Sequence, residues 1–220
     1  MRCRRSYRRP HKSRFVEMFG DGGSSKFDSV KLLEVTSKIG SGATPRGGKS
    51  SYPETGISFI RSMNVYDAAF KYDDLAHLSD EQANELRNVE VFAGDVLINI
   101  TGASIARCSV VPGDVLPARV NQHVAILRPK SNMNPVFLNA LLISPAYKRK
   151  LLNIGEMNGA TRQAITKCQL EALRVLLPPL ALQREFAAFV AKVDKLAFAV
   201  RKSLESAEKL YRQQLSEAFA

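Results

Sequence analysis

The chain has 220 residues, of which 45% are hydrophobic and 24% are charged, and its formal net charge at pH 7 is +11. This hydrophobic content excludes general disorder, and no apolar run reaches the length of a membrane span. The charged N-terminus has no apolar core behind it, so we expect no secretory signal. The three cysteines lack metal-ligand spacing, and we interpret them as reduced thiols of a cytoplasmic protein.

The first predicted unit, residues 1–27, is a basic tail or linker. It holds eight Lys and Arg residues but only two acidic residues, and residues 20–25 read GDGGSS. Such a composition predicts a poorly ordered segment. Residues 15–19 (FVEMF) are similar to residues 215–219 (LSEAF), and a Tyr-Arg pair precedes each. This similarity favours the hypothesis that a duplicated ancestor carried two copies of the C-terminal segment, and that residues 1–27 are the remnant of a helix from the earlier copy.

Residues 28–178 are predicted to form an α+β domain with a curved, mostly antiparallel sheet. Strands are expected at residues 57–60, 96–100, 107–111, 119–128 and 175–177. Helices are expected at residues 135–144, 146–154 and 169–173, and residues 79–82 (SDEQ) match a capping box that opens a further short helix. Runs of strands with a few helices between them are typical of the α+β class.

Residues 179–220 are predicted to form one long helix, because no Pro or Gly occurs after Pro179. Apolar residues recur along it at near-heptad spacing, so one face needs a second helix to cover it. We therefore expect this helix to dimerise and to act as a spacer. The seam comprises Phe186, Phe189, Val190, Val193, Leu196, Val200, Leu204, Ala207, Leu210 and Tyr211.

Residues 43–50 (ATPRGGKS) match a loose phosphate-binding loop, but residues 51–56 (SYPETG) follow with turn chemistry where that motif needs a helix. A flexible loop whose cations suit DNA phosphates is the alternative. The histidines are isolated, and His123 lies in a strand pattern that favours a structural role. We find no catalytic or metal-binding constellation.

Five segments, in order, resemble the specificity subunit of type I restriction–modification enzymes. They are residues 40–45 (GSGATP), 94–105 (GDVLINITGASI), 120–129 (VNQHVAILRP), 159–165 (GATRQAI) and 177–183 (LPPLALQ). Ala106 occupies a position where the family often has Gly, and Leu182 one where it usually has Glu. The usual subunit carries two recognition domains and two long helices, which pair antiparallel, so this chain resembles a half-subunit.

The resemblance implies a non-catalytic subunit that recognises one half of a bipartite site in double-stranded DNA. It implies docking to modification subunits, which would supply S-adenosylmethionine and methylate adenine N6, and the further joining of a restriction subunit that uses ATP and Mg²⁺. The chain itself would bind no cofactor and no metal. It would form a homodimer or pair with a different half-subunit, without membrane association.

Residues that suit base edges and phosphates are the candidate DNA contacts, because Arg and Lys match guanine and phosphate whereas Asn and Gln match adenine. The candidates are Arg46, Lys49, Ser50, Arg61, Ser62, Asn64, Asn99, Thr101, Ser104, Arg107, Thr161, Arg162, Gln163 and Lys167.

Two other functions stay open on the sequence alone. One is a coiled-coil assembly module whose head binds protein, and the other is a small enzyme that uses the Gly/Lys loop. Salt-dependent preference for one duplex would favour DNA recognition, whereas salt-insensitive partner binding would favour the assembly module. Nucleotide turnover that Lys49→Ala abolishes would favour the enzyme.

Overall fold

The computed structural model describes residues 3–21, 27–45, 48–156 and 164–218, with side chains for all of these except residues 3–9, 49, 50, 216 and 218. The helices are α1 (Cys3–Phe19), α2 (Leu32–Val35), α3 (Asp80–Glu85), α4 (Pro135–Leu142), α5 (Pro145–Glu156), α6 (Lys167–Ala172) and α7 (Leu180–Ala218). The strands are β1 (Ser29–Lys31), β2 (Thr36–Ser41), β3 (Ile57–Ile60), β4 (Val65–Tyr66), β5 (Ala69–Phe70), β6 (Ala76–Leu78), β7 (Glu90–Val91), β8 (Val96–Asn99), β9 (Cys108–Val110), β10 (Ala118–Val120), β11 (Val124–Pro129) and β12 (Arg174–Leu176).

A central antiparallel sheet in the order β2-β11-β8-β9 divides the core into two clusters. Successive side chains of a strand point to opposite faces of the sheet. On β8, Val96 and Ile98 therefore lie in the first cluster and Leu97 lies in the second. On β11, Ala125 and Leu127 share the first cluster, whereas Val124 and Ile126 share the second. Both faces of this sheet are therefore buried.

A second sheet, in the order β6-β3-β10-β7, covers one of these faces. Its pairs are antiparallel except β3 with β10, which run parallel. The first cluster lies on the other face, where helices pack against the central sheet. The α+β class with mostly antiparallel sheets is confirmed, but as two packed sheets and a helical layer instead of one curved sheet.

The single strand predicted over residues 119–128 is wrong, because the chain turns at Asn121 and places β10 and β11 in different sheets. The Asn121 side-chain oxygen accepts from the His123 amide at 3.1 Å, and its carbonyl accepts from the Val124 amide at 3.3 Å. Asparagine favours such a local turn because its side chain replaces a backbone partner. Because apolar residues flank Asn121 on both sides, the segment had the pattern of one continuous strand.

Helix caps account for where several helices begin. Ser79 and Gln82 form the predicted capping box of α3, and Thr166 and Gln169 form another that opens α6. The side chain of Asn134 accepts hydrogen bonds from the two amides that open α4, and Pro135 occupies the first turn. The predicted elements 57–60, 135–144, 146–154 and 169–173 all have counterparts, whereas β1, α2 and β2 were not predicted.

Gln183 fixes the start of α7 to the domain. Its side chain is completely buried, and its amide donates to the carbonyl oxygens of Pro178, at 2.8 Å, and Asn132, at 3.2 Å. Its carbonyl oxygen accepts from the Asn134 amide at 2.8 Å. Every polar atom of the side chain therefore binds backbone, which gives the motif residues 177–183 a physical reason for ending in Gln.

Residues 1–27 were predicted to be poorly ordered, but α1 occupies most of that stretch and packs antiparallel against α7. Arg14 reaches Glu185 at 2.7 Å, and His11 lies 3.4 Å from Asp194, so α1 and α7 run in opposite directions. Phe15 and Phe19 enter the core beside Phe186. The seam prediction is corrected at this end: Phe186 is buried by α1 and α4 of its own chain, and Val190 packs against the same cluster.

Candidate nucleic-acid interface

An open cleft of about 730 Å³ lies where the loops after β3, β8 and β10 meet. Its described lining mixes hydroxyl, aromatic and cationic side chains, and no Asp or Glu occurs among these described residues. The lining residues are Ser62, Met63, Tyr66, Thr101, Gly102, Ala103, Ser104, Arg107, His123 and Ala164. A concave surface with several converging hydrogen-bonding groups is the usual form of a recognition site.

A chain of polar side chains runs along one wall of the cleft. Thr44 donates to the Gln122 carbonyl oxygen, and the Gln122 amide lies 3.2 Å from His123 Nε2. On the other side of the ring, His123 Nδ1 lies 2.6 Å from Thr101 Oγ1. If the Gln122 amide donates, His123 Nε2 accepts and Nδ1–H donates to Thr101. The ring orientation is thus fixed from both sides.

Arg107 supplies the cationic group of the cleft. Its guanidinium carbon lies 4.5 Å from the centre of the Tyr66 ring, in the range of a cation–π contact. Arg107 is half-buried, whereas Tyr66 is exposed. The cleft therefore offers a positioned cation with aromatic support.

Four of the predicted DNA-contact residues come together in this cleft: Ser62, Thr101, Ser104 and Arg107. Two others, Asn64 and Asn99, are completely buried beneath it. The side-chain amide of Asn64 donates to the backbone carbonyl of Lys71 at 2.9 Å. The side-chain amide of Asn99 donates to the backbone carbonyl of Ser62 at 2.8 Å. Because both amides hold loop backbone, their role is to support the cleft wall.

Two of the remaining predicted contacts, Arg61 and Lys167, lie outside the cleft. Arg61 donates to the Asp74 carbonyl outside the cleft lining, and Lys167 pairs with Glu171 at 3.6 Å beside β2. Residues 48–51 form a 3₁₀ turn, so no α-helix follows the Gly/Lys loop within the described part of this region. Arg46, Thr161, Arg162 and Gln163 lie outside the described residues, as do the side chains of Lys49 and Ser50.

Tyr66, Met63, Gln122 and His123 belong to the site but were not predicted as contacts. Gln122 and His123 looked like part of a continuous strand, and only the turn at Asn121 brings them to the cleft. Tyr66 lies in a two-residue strand, which is too short to show a periodicity. The exposure of the Tyr66 ring marks it as a contact surface, and exposure cannot be read from the sequence.

A second charged group lies at the opposite end of the central sheet, beside β7 of the second sheet. Arg128 binds Asp95 through two parallel hydrogen bonds of 2.8 Å and lies 4.0 Å from the ring centre of Phe92. Hydrogen bonding to Asp95 raises the pKa of Arg128. Partial burial, with a smaller effect of the Arg128 cation, lowers the pKa of the adjacent Lys38. The Asp95 carboxylate binds Nε and one Nη of Arg128, so the ion pair of Arg128 with Asp95 has a structural role.

The apolar seam of α7 is covered only near the domain. Phe189 and Val193 are partly exposed, whereas Leu196 and Val200 expose 67% of their surface. Ala207 is exposed as well, and so are Leu204, Leu210 and Tyr211 farther along. Within the residues that the structure describes, nothing covers this outer part of the seam, which remains available to a second helix.

The described residues form neither a metal-binding cluster nor a membrane-spanning helix. No group of three or more His, Cys, Asp or Glu side chains among them could hold a metal ion. None of the helices that they form has the length and apolarity needed to cross a bilayer.

Comparisons with known proteins place the chain. The model of the type I restriction modification DNA specificity domain matches residues 24–208. A Methanocaldococcus jannaschii protein, whose assignment as the type I restriction enzyme MjaX specificity subunit is itself provisional, is 19% identical over 191 residues. The match covers 86% of this chain and 44% of that protein.

Solved structures show the same fold. A chain from a study of complex assembly and conformational transition of the type I R-M system aligns with a TM-score of 0.62 at 23% identity, over 94% of this chain and 49% of that one. The HsdS subunit from Thermoanaerobacter tengcongensis aligns with a TM-score of 0.59 at 22% identity, over 90% and 46%. The chain thus spans about half the length of the relatives that it matches.

Proposed function

The chain belongs to the family of type I restriction modification DNA specificity domains, and from this premise we propose that its domain recognises one half of a bipartite DNA site. The observation that carries the proposal is the cleft in which Ser62, Thr101, Ser104 and Arg107 converge. Hydroxyl groups both donate and accept hydrogen bonds, and an Arg without an acidic partner suits bases or phosphates. These are the groups that direct readout of a duplex requires.

The outer seam of α7 supports the second part of the proposal, which is pairing with another long helix. A helix of 39 residues extends about 58 Å. Antiparallel pairing of two such helices would hold two domains at opposite ends, and one turn of duplex DNA spans about 34–36 Å. Two specified blocks separated by unspecified base pairs match that arrangement. Two identical chains would further require a two-fold symmetric site.

The chain would direct chemistry that its partners perform. We propose that modification subunits dock on α7 and on residues 178–183, bring S-adenosylmethionine and methylate adenine N6. A restriction subunit would add cleavage driven by ATP and Mg²⁺. The role of this chain in such a complex is to select the DNA sequence and to set the spacing of the bound blocks.

A duplex-selection experiment tests the proposal. The full chain, with its modification subunits, is incubated with a random duplex library, and bound DNA is sequenced. We expect a bipartite consensus whose affinity falls steeply as salt rises, because phosphate contacts release counterions. Absence of any consensus, together with salt-insensitive binding to protein partners, would reject DNA recognition and favour an assembly module instead.

A further inference from the structure

Arg107 is held with its hydrogen-bonding edge free. Its guanidinium stacks on Tyr66 at 4.5 Å, and among the described residues no carboxylate or carbonyl accepts a hydrogen bond from its side chain. Stacking occupies the face of a guanidinium and leaves its five N–H donors, which lie in the plane, available. A half-buried Arg usually donates to a carboxylate or a carbonyl oxygen. The free N–H donors of Arg107 are therefore available to an acceptor on a ligand.

The backbone fixes the position of this side chain. Ala106, the preceding residue, adopts a left-handed conformation with φ of 63°. The backbone amide of Ala106 donates to the backbone carbonyl of Asn99. The backbone amide of Asn99 in turn donates to the backbone carbonyl of Arg107, and both bonds measure 2.9 Å. Non-Gly residues rarely adopt such a φ, and they do so where the surroundings hold them, often beside functional groups. Arg107 is therefore aimed by the fold before any ligand arrives.

Tyr66 is held on the same frame. Tyr66 pairs with Ala69 in the β4–β5 hairpin, and the amide of Ala68 in that hairpin donates to the Cys108 carbonyl at 2.8 Å. The stacked ring and the cation thus rest on adjoining backbone segments. Little side-chain freedom remains to be lost on binding, which is the condition for a contact that discriminates between ligands.

The chemistry of the cleft selects one base edge. Cytosine and adenine present an exocyclic amine in the major groove, which requires an acceptor such as a carboxylate or an amide. Among the described residues that line the cleft, only Arg107 carries a cationic side chain with paired donors, and no carboxylate lies beside it. Guanine is the base whose major-groove edge presents two acceptors, O6 and N7, at the spacing of the guanidinium fork.

We propose that Arg107, stacked on Tyr66, reads a guanine through O6 and N7 in the major groove of the target half-site. This inference rests on the proposed DNA-recognition function and names a base determinant within it. Ser62 and Ser104 flank the stacked pair on the cleft rim and can bind the neighbouring phosphate or sugar.

The test compares consensus sequences selected by the wild-type chain and by variants, in complex with the modification subunits. The wild-type consensus should contain a guanine at one position, and Arg107→Lys should lose the preference there while other positions keep theirs. Lys retains the charge but cannot make the bidentate contact, so affinity for random duplex should stay within about two-fold. Lys71→Ala, which removes a cation of the domain outside the cleft, should leave the consensus unchanged.

Base analogues at that position identify the edge that is read. Replacing guanine by 7-deazaguanine removes the N7 acceptor and should weaken wild-type binding by about 5–100-fold, but should leave Arg107→Lys binding nearly unaffected. Inosine keeps O6 and N7, so it should bind the wild-type chain as well as guanine does. Tyr66→Leu should reduce the penalty for 7-deazaguanine, because the unstacked Arg samples other orientations.

Four results would overturn the inference. A wild-type consensus with no position that Arg107→Lys relaxes would leave DNA recognition standing and remove Arg107 as a base reader. An equal loss on all sequences would make Arg107 a phosphate contact. Sensitivity to inosine but not to 7-deazaguanine would place the contact in the minor groove. Failure of the wild-type chain to select any consensus would instead reject the proposed function as well.

Discussion

Phe15 of α1 and Phe186 of α7 meet edge to face, with ring centroids 5.6 Å apart. Residues 171 positions apart in the chain are thereby brought together, and Phe19 and Phe137 complete the aromatic group. Edge-to-face pairs add stability beyond the area that they bury. The N-terminal helix α1 consequently contributes to the domain core and packs against the first turns of α7.

Phe15→Ala should destabilise the chain by about 3–4 kcal/mol, since it removes a buried ring and leaves a cavity beside Phe186. Urea denaturation, followed by circular dichroism, measures this loss. Val16→Ala is the matched control, because Val16 lies on the exposed side of the same helix, and its cost should stay within about 0.5 kcal/mol. Equal effects of the two substitutions would show that α1 does not pack as described.

Leu204→Glu with Leu210→Glu should abolish self-association, because two charges would be buried in the seam between paired helices. Sedimentation velocity measures the mass of the particle over a range of chain concentrations. Lys202→Gln with Lys209→Gln changes the net charge by the same two units on the opposite side of α7 and should leave the proposed self-association intact. If both double variants stayed dimeric, the contact between chains would have to lie outside the outer seam.

Asp95→Asn should cost about 2–4 kcal/mol. The substitution leaves Arg128 without its carboxylate partner, and breaking a fully buried ion pair costs about 3–5 kcal/mol. Arg128 is partly exposed, so water compensates for some of that loss. Chemical denaturation measures the effect. Lys71→Gln breaks the exposed pair with Asp73 and should cost less than about 1 kcal/mol; a similar loss in both variants would contradict the argument.

Ala106→Gly should leave the stability within about 1 kcal/mol of the wild type. Relief of a left-handed Ala gains about 1–2 kcal/mol, which offsets the loss of one buried methyl group, about 0.8 kcal/mol, and the backbone entropy of Gly, about 0.4–1 kcal/mol. Thermal unfolding measures the change. Ala125→Gly, at an equally buried position in a regular strand, should instead destabilise by about 1–2 kcal/mol. A loss of stability in Ala106→Gly as large as in Ala125→Gly would show that the left-handed backbone carries no strain.

Stability should fall with rising pH because of Cys108. Complete burial raises the pKa of this thiol in the folded chain, so the unfolded chain loses the proton first. The stabilisation is fully present below about pH 8.5 and decreases by about 1.4 kcal/mol per pH unit above it. Denaturation curves between about pH 8 and 10 should show a shallower decline for Cys108→Ala. Parallel declines would mean that the thiol ionises equally in the folded and unfolded chain, so that burial does not raise its pKa.

The sequence predicted elements that carry their own local signal. The capping box at Ser79 and the absence of helix breakers after Pro179 identified α3 and α7, because caps and breakers act over a few residues. The pairing of α1 with α7 was not predicted, since it depends on contacts between Phe15 and Phe186 that are distant in sequence. The similar segments 15–19 and 215–219 were a partial signal, which suggested a helix but not its partner.

The candidate site was predicted in part, and for a physical reason. Ser62, Thr101, Ser104 and Arg107 flank strands and carry side chains that suit base edges or phosphates, and both features suggested them. Asn64 and Asn99 have the same residue chemistry, but burial turns them inward to bind backbone. Only the three-dimensional structure separates polar residues that face a ligand from those that hold the wall behind it.

The uninterrupted backbone of α7 has a consequence for how site spacing can vary. Inserting seven residues would lengthen the helix by about 10.5 Å, the rise of about three base pairs, while returning the apolar seam to nearly the same side. Deleting one residue would instead rotate everything beyond it by about 100° and turn the seam away from its partner. Natural variants that recognise the same base blocks at a different separation should therefore differ in length by near-whole numbers of helical turns.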